Sequence, residues 1–188
     1  MRSWWMVLCL ALVPVVVQAH RAPAAPSDVF GRPLPVVEGR PRLVFYVNRD
    51  NRGLVREEAL KLAFDARASA PVVVVHVDLR DIPGLFHGMA RREIRKSWQE
   101  CLGDISRLYR KAGERAPAWL ADAFYMVADE EGEPHKALGL PKRFREPWAV
   151  GVSSEGRELG RGPFSAVAAP LTRALTEPVR PGGAFTAR

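Results

Sequence analysis

Residues 43–78 read LVFYVNRDNRGLVREEALKLAFDARASAPVVVVHVD, and this stretch decides the fold. Its two ends, 43–47 and 71–78, are apolar runs without polar alternation, which is typical of strands covered on both faces of a parallel sheet. A polar turn over 48–53 and apolar residues at helical spacing over 55–68 lie between them. The stretch therefore predicts a β-α-β unit, whose crossover we expect to be right-handed.

The next region toward the C-terminus predicts a long helical segment, a third strand and a short helix. An apolar stripe steps by three or four residues through 86–109, and Gly103 is expected to break this segment into two helices. The third strand covers 123–128, and the short helix ends at Leu138 after a polar turn. The stripe comprises Phe86, Ala90, Ile94, Trp98, Cys101, Ile105 and Leu108, widened by Leu102 and Tyr109.

The end of the domain predicts a hairpin and a closing helix. Pro147 precedes a fourth strand over 148–152, and the polar turn Ser-Glu-Gly-Arg then leads to a short fifth strand near Leu159. An amphipathic helix over 166–176 follows. Two parallel strands followed by an antiparallel hairpin predict an α/β domain with a mixed sheet.

This order of elements resembles the thioredoxin-like superfamily, and more closely its peroxiredoxin-like and periplasmic thiol–disulfide members. The resemblance covers roughly residues 37–176 and implies a three-layer α/β/α sandwich with a central mixed sheet. It also implies that Pro147 matches a proline that is typically cis in that family and faces the redox motif. The segments that carry it are LVFYV (43–47), VVVVHVD (72–78), ADEEGEPHKALGLP (128–141) and EPWAVGVSSEGREL (146–159).

The cysteine pair that the resemblance implies is missing. In that family a Cys-x-x-Cys motif lies where the first strand meets its helix, and the second cysteine resolves the mixed disulfide. Here the junction 47–53 reads VNRDNRG, with no cysteine, serine or threonine. The missing cysteines therefore exclude dithiol–disulfide oxidoreductase activity through the family's mechanism. They also exclude a peroxiredoxin mechanism, because its cysteine would lie in the same region.

Two enzymatic alternatives remain open. Cys101 is the one cysteine outside the N-terminal apolar segment, and an exposed, electropositive thiol there would support single-cysteine redox chemistry. Its position on the apolar stripe instead favours a buried, inert residue. The second alternative is a metal-dependent enzyme, because His76 and Asp78 share one face of a strand and Asp81 and His87 follow closely. No compact ligand motif supports that site, and the residues indicate no cofactor.

Two turn segments form a candidate partner-binding site. The resemblance implies that the first strand–helix loop adjoins the proline-led loop and that the two form a groove. Polar donors, guanidinium groups and an indole in such a groove suit recognition of a peptide or another protein. Turn and cap chemistry explains the same residue types without a partner. The candidates are Asn48, Arg49, Asp50, Asn51, Arg145, Glu146, Pro147 and Trp148.

The segments outside the domain predict export. Residues 1–19 have a short positive start, an apolar run and a small residue at the end, which is typical of a secretory signal peptide. We expect a flexible Pro/Ala-rich leader over 20–41, the domain over 42–176 and a disordered tail over 177–188. The protein is then periplasmic or extracellular, with no stable membrane span after signal cleavage.

The charge of the chain points to anionic partners. With 28 basic and 21 acidic residues, the formal net charge is +7. An exported protein rarely meets nucleic acid, so we expect another protein or peptide as the partner, and the charge favours an acidic one. The sequence thus predicts a redox-inactive binding or accessory protein of the cell envelope, and it says nothing about the oligomeric state.

Overall fold

The computed structural model describes residues 26–35 and 39–176. The predicted signal peptide 1–19 and tail 177–188 lie outside these residues. The strands are β1 Arg42–Val47, β2 Val72–Asp78, β3 Phe124–Asp129, β4 Trp148–Val152 and β5 Glu158–Pro163. The helices are α1 Arg52–Asp65, α2 His87–Lys111, α3 Glu133–Ala137 and α4 Phe164–Thr176.

The five strands form one mixed sheet in the order β3-β2-β1-β4-β5. β1 pairs in parallel with β2, and β2 in parallel with β3, whereas β4 and β5 are antiparallel. The first three strands are therefore joined by crossovers that carry α1 and α2, and the last two form a hairpin. This topology confirms the predicted α/β, thioredoxin-like fold with a central mixed sheet.

One face of the sheet carries the main core. Because side chains alternate along a strand, Phe45, Val75 and Met126 lie on the same face, in register across three strands. α1, α2 and α4 cover this face, and Phe164 at the start of α4 packs edge-on against Phe45 with ring centroids 5.6 Å apart. The long helices thus form a single layer on this face.

The opposite face has a smaller cover. Val72, Val74, Tyr125 and Val127 form a second apolar cluster there, against which Leu34 packs. The short α3 lies over the other end of the same face, where the ring of His135 meets that of Tyr46 edge-on at 5.3 Å. The third layer of the sandwich is therefore made of one short helix and irregular chain.

Part of the predicted flexible leader is instead a docked segment. Residues 26–35 lie along β3, where the Val29 N–H donates to the Met126 carbonyl at 2.9 Å. The Arg32 guanidinium donates to the carbonyls of Ala121 and Phe124 at 2.9 and 2.7 Å, and it pairs with Asp28. We call residues 26–35 the strap. It docks because its arginine satisfies the carbonyl of the first residue of β3 and one carbonyl just before that strand.

The long helical region is one helix, so the predicted break at Gly103 is wrong. α2 runs without interruption through Gly103, because burial of Ile94, Cys101 and Ile105 outweighs the roughly 1 kcal/mol that an interior glycine costs. Phe86, which we placed on the apolar stripe, precedes α2 and is exposed. Within the part of the chain that the structure describes, no helix has both the length and the apolarity needed to cross a membrane.

Candidate functional site

The turn that follows β1 is held by two asparagine side chains. The Asn48 Oδ1 accepts the backbone N–H groups of Asp50 and Asn51 at 2.9 and 3.0 Å. In return, the Asn51 Oδ1 accepts the backbone N–H of Asn48 at 2.9 Å. Asparagine favours such local side-chain to backbone bonds, so this sequence selects the turn and the start of α1 together.

The same two asparagines bring the two predicted loops together. Both Nδ2 groups donate to the carbonyl oxygen of Phe144, at 2.8 Å from Asn48 and 3.0 Å from Asn51. The two side chains are 2% and 1% exposed. The strand–helix turn is therefore tied to the loop before β4, as the resemblance implied, and the asparagines that make this connection are buried beneath the surface of the site.

The charged residues of the two loops face solvent. Arg49, Asp50 and Arg145 are exposed, and they flank the buried asparagines on the two loops. Glu146 is half-buried, and its Oε1 accepts the backbone N–H of Ser165 at 2.9 Å; hydrogen bonding from Ser165 lowers the pKa of this carboxyl. Any partner that docks here would meet the three exposed side chains first.

The last two predicted residues lie at the base of the site. Pro147 is buried, and its carbonyl oxygen accepts the backbone N–H of Phe164 at 2.8 Å. The peptide bond before Pro147 is trans, so the family's typical cis geometry is absent here. Trp148 is half-buried and lies opposite Tyr46 in the strand register, on the same face of the sheet as α3.

The spacing of the two asparagines is a signal that our sequence reasoning missed. Asn48 and Asn51 are separated by two residues, which is the spacing of the cysteines in a Cys-x-x-Cys motif. They stand where the first strand meets its helix, the position of that motif in the family. The turn therefore keeps the spacing of the redox motif while its side chains supply amides instead of thiols.

Cys101 has the properties of a core residue. It lies within α2, is 5% exposed and has no disulfide partner among the described residues. Burial raises the pKa of the Cys101 thiol to about 11, an effect that the nearby Arg56 only partly offsets. At neutral pH the sulfur is a protonated thiol, whereas nucleophilic cysteines are exposed thiolates.

The predicted metal ligands are not brought together. The Asp78 carboxylate is engaged by the Arg80 guanidinium at 2.6 Å, and the His87 Nε2 lies 2.9 Å from the carbonyl of Ile82. His76 is buried on a different face from the main core and stacks on Tyr46. Among residues 26–35 and 39–176, no three His, Cys, Asp or Glu side chains are grouped so as to hold an ion.

A buried histidine cluster that our sequence analysis did not single out lies between α3 and the sheet. The His135 Nδ1 is 2.6 Å from the Asp129 Oδ2, and the His76 ring stacks on Tyr46 with centroids 5.2 Å apart. Burial lowers the pKa of His76 to about 4, with a further contribution from His135. The Asp-x5-His spacing at 129–135 within a polar turn is the signal that marks this pair.

Hydrogen bonds lower the pKa of Asp129 in this cluster. Burial raises its pKa, but the hydrogen bond with His135 and the Gly132 N–H outweigh burial, so the pKa lies below its ordinary value. Two ring nitrogens of the cluster, the His76 Nδ1 and the His135 Nε2, are buried without a partner among the described residues. The cluster places one carboxylate beside two imidazoles, and all three side chains are buried.

The chain is similar to several solved structures, each at low sequence identity. No protein-family model matches the chain, and no curated protein matches it. The exposed lipoprotein thioredoxin Etrx1 of Streptococcus pneumoniae is 13% identical over 80% of this chain and 95% of its own, with a TM-score of 0.44. A secreted disulfide oxidoreductase of Mycobacterium tuberculosis is 12% identical over 78% of this chain and 92% of its own, with a TM-score of 0.41.

A third similar structure is the bacterioferritin comigratory protein of Xanthomonas campestris. It is 12% identical over 80% of this chain and 88% of its own, with a TM-score of 0.46. At these identities and TM-scores the activities of the three proteins are not carried over to this chain. The order of its elements and the topology of its sheet make the fold of this chain thioredoxin-like.

Proposed function

We propose that this chain is an exported accessory protein of the cell envelope, which binds another protein or peptide and performs no dithiol–disulfide chemistry. The observation that supports this best is the turn after β1. Asn48 and Asn51 occupy the junction where the family places its cysteines, and both donate to the Phe144 carbonyl. An amide side chain forms no disulfide, and a turn fixed in this way suits recognition, which gains from preorganised loops.

The surface of the same site favours an acidic partner. Arg49 and Arg145 expose two guanidinium groups on the two loops, with the Asp50 carboxylate beside Arg49. A guanidinium binds a carboxylate through two parallel hydrogen bonds, which gives direction as well as attraction. The net charge of +7 would also attract acidic partners at a distance.

A photocrosslinking experiment in the native host tests this proposal. A photoreactive amino acid replaces Asp50 in one variant and Arg145 in a second, and it replaces Arg110 in the control. Arg110 is exposed near the C-terminal end of α2, away from the two loops. We expect the same crosslinked species from positions 50 and 145 and none from position 110, because only the first two flank the site.

Two further measurements make the result specific. Arg49→Glu introduced into the position-145 variant should remove the crosslink, because the partner would then meet a repulsive carboxylate. In the presence of a thiol reductant, the purified chain should also not accelerate the reduction of a protein disulfide over the rate with the reductant alone. Crosslinking of equal yield from position 110, or catalysed disulfide reduction, would overturn the proposal.

A further inference from the structure

A cavity of about 250 Å³ lies between α1 and α2 on the main-core face of the sheet. Strand residues form its floor, among them Phe45, Val75 and Met126, and the helices supply Leu60 and Ile94 as walls. Protein interiors rarely contain a void larger than a few water molecules. A space of this size, bounded mainly by aliphatic and aromatic side chains, is large enough to hold an apolar molecule.

Small side chains on the two helices create this space. Gly53 and Ala59 on α1 face Ser97 and Cys101 on α2 across the cavity. At each of these positions a Leu or Ile side chain would close the gap between the helices. The cavity therefore follows from the sequence of the two helices and does not depend on any loop.

The cavity opens at the amino end of α1, where charged residues surround the mouth. Arg56 is paired with Glu100 at 2.7 Å and with Asp104 at 2.6 Å. Among the described residues that line the cavity, the remaining charged groups are then two cations, Arg52 and Lys96, and one anion, Glu93. The first turn of α1 contains no acidic residue, so the positive end of its dipole adds to the cationic charge.

Exposed apolar side chains lie beside this mouth. A groove of about 440 Å³ shares Arg52, Glu93 and Ile94 with the cavity and extends between the starts of the two helices. Met89 on its wall is 61% exposed, and Leu54, which follows the cavity-lining Gly53 in α1, is 67% exposed. Large apolar side chains at the rim of an apolar cavity give an alkyl chain a path inward.

We propose that the cavity binds a single-chain amphiphile with an anionic head group. The alkyl chain fills the cavity, and the head group lies at Arg52 and Lys96. A cavity of about 150 Å³ holds the six carbons of benzene, so this one holds roughly ten carbons. None of the partner-binding candidates lines the cavity, although Arg49 lines the groove beside its mouth. The proposal goes beyond the proposed function without depending on it.

Titration of the purified full chain with straight-chain carboxylates of roughly six to fourteen carbons, each below its micelle concentration, tests the fit. Affinity should rise about fourfold for each added methylene, as expected for transfer of a buried CH₂ from water, and level off near roughly ten carbons. An affinity that keeps rising with length, or binding absent at every length, would overturn the proposal.

The head-group contacts have their own test. Arg52→Gln and Lys96→Gln should each weaken decanoate binding and leave the binding of 1-decanol unchanged. Arg92→Gln is the matched control, because this substitution removes the same charge. Arg92 is exposed on α2 and does not line the cavity. If all three variants weaken decanoate equally, the effect is one of net charge, and the assigned head-group position is wrong.

Occupancy of the cavity can be read from Cys101, whose side chain lines it. Decanoate should slow the reaction of Cys101 with a thiol reagent, because the bound chain covers the sulfur. Ala59→Leu should fill the cavity and so abolish both the binding of decanoate and the protection of Cys101 by decanoate. Val75→Leu, at the floor of the cavity, is a second variant that fills it. Thermal unfolding verifies that each variant is folded. Unchanged binding in two folded filling variants would place the ligand elsewhere and sink the proposal.

Discussion

Asn48 and Asn51 concentrate five hydrogen bonds on one turn, three within the turn and two to the Phe144 carbonyl. Both side chains are buried, so the groups that they satisfy have no access to water if the amides are removed. An unpaired buried polar group costs more than a hydrogen bond gains. The turn is for this reason sensitive to substitution at two positions whose side chains a partner could not touch.

We predict that Asn48→Ala lowers the free energy of unfolding by about 3 kcal/mol, because the backbone N–H groups of Asp50 and Asn51 lose their acceptor. Urea unfolding followed by circular dichroism measures this change. Asp50→Ala is the control in the same turn, and its exposed side chain should contribute less than about 0.5 kcal/mol. Equal midpoints for the two variants would show that the bonds to Asn48 do not stabilise the turn.

The buried His76 predicts a dependence of stability on pH. Its pKa is about 4 in the folded chain, lowered by burial and by His135, against about 6.5 when unfolded. Between these values the unfolded chain binds more protons, so stability is full above about pH 6.5 and falls as the pH drops toward about 4. The loss of unfolding free energy amounts to roughly 3 kcal/mol and is complete below about pH 4.

His76→Phe removes this titration and keeps a ring that can stack on Tyr46. The difference in unfolding free energy between the wild type and His76→Phe should therefore change between about pH 6.5 and about pH 4 and be constant above that range. Chemical denaturation at closely spaced pH values gives this difference. A difference that is independent of pH would mean that His76 is not desolvated as its contacts indicate.

At the scale of elements, α2 shows that packing outweighs local propensity. Gly103 lies in the interior of a helix of 25 residues, and a Cβ built there meets no atom closer than the Arg107 Nη1 at 4.0 Å. We predict that Gly103→Ala raises the free energy of unfolding by about 1 kcal/mol, because alanine loses less backbone entropy in a helix. Thermal unfolding measures the gain, and a lower midpoint would mean that Gly103 is needed for packing.

The elements that the sequence predicts well are those with a strong pattern. The strands predicted at 71–78 and 148–152 are found within a residue of their predicted bounds. The short helix α3 ends within a residue of its predicted end at Leu138. The docking of the strap could not be predicted from periodicity, since Arg32 bonds to the distant Phe124 carbonyl, and neither could the burial of His135 against the Asp129 carboxylate. The two loops of the candidate site adjoin as predicted, but the burial of Asn48 and Asn51 depends on the Phe144 carbonyl, which no local pattern reveals.

At the scale of the whole molecule, the hairpin and the last helix are joined by one close approach. Leu171 of α4 is fully buried over Gly151 of β4, where a Cβ would overlap the leucine side chain. We predict that Gly151→Ala costs about 1–3 kcal/mol, because α4 must shift away from the sheet. Equilibrium unfolding measures this cost.

A double variant separates this clash from any other effect of the substitution. In a Leu171→Ala background the space above β4 is open, so Gly151→Ala should cost much less than it does in the wild type. Additive costs would contradict the close approach, since they would show that the two side chains do not share the space.

The contacts of the strap also constrain the order in which parts of the chain can fold. Arg32 bonds to the carbonyls of Ala121 and Phe124, which follow it by 89 and 92 residues, so the earliest described segment docks only when the third strand has formed. Contacts between residues so far apart in the sequence form late in folding and slow it. Until then the outer row of N–H and C=O groups on β3 is open to a strand from another chain, and newly synthesised copies are most vulnerable to aggregation in that interval.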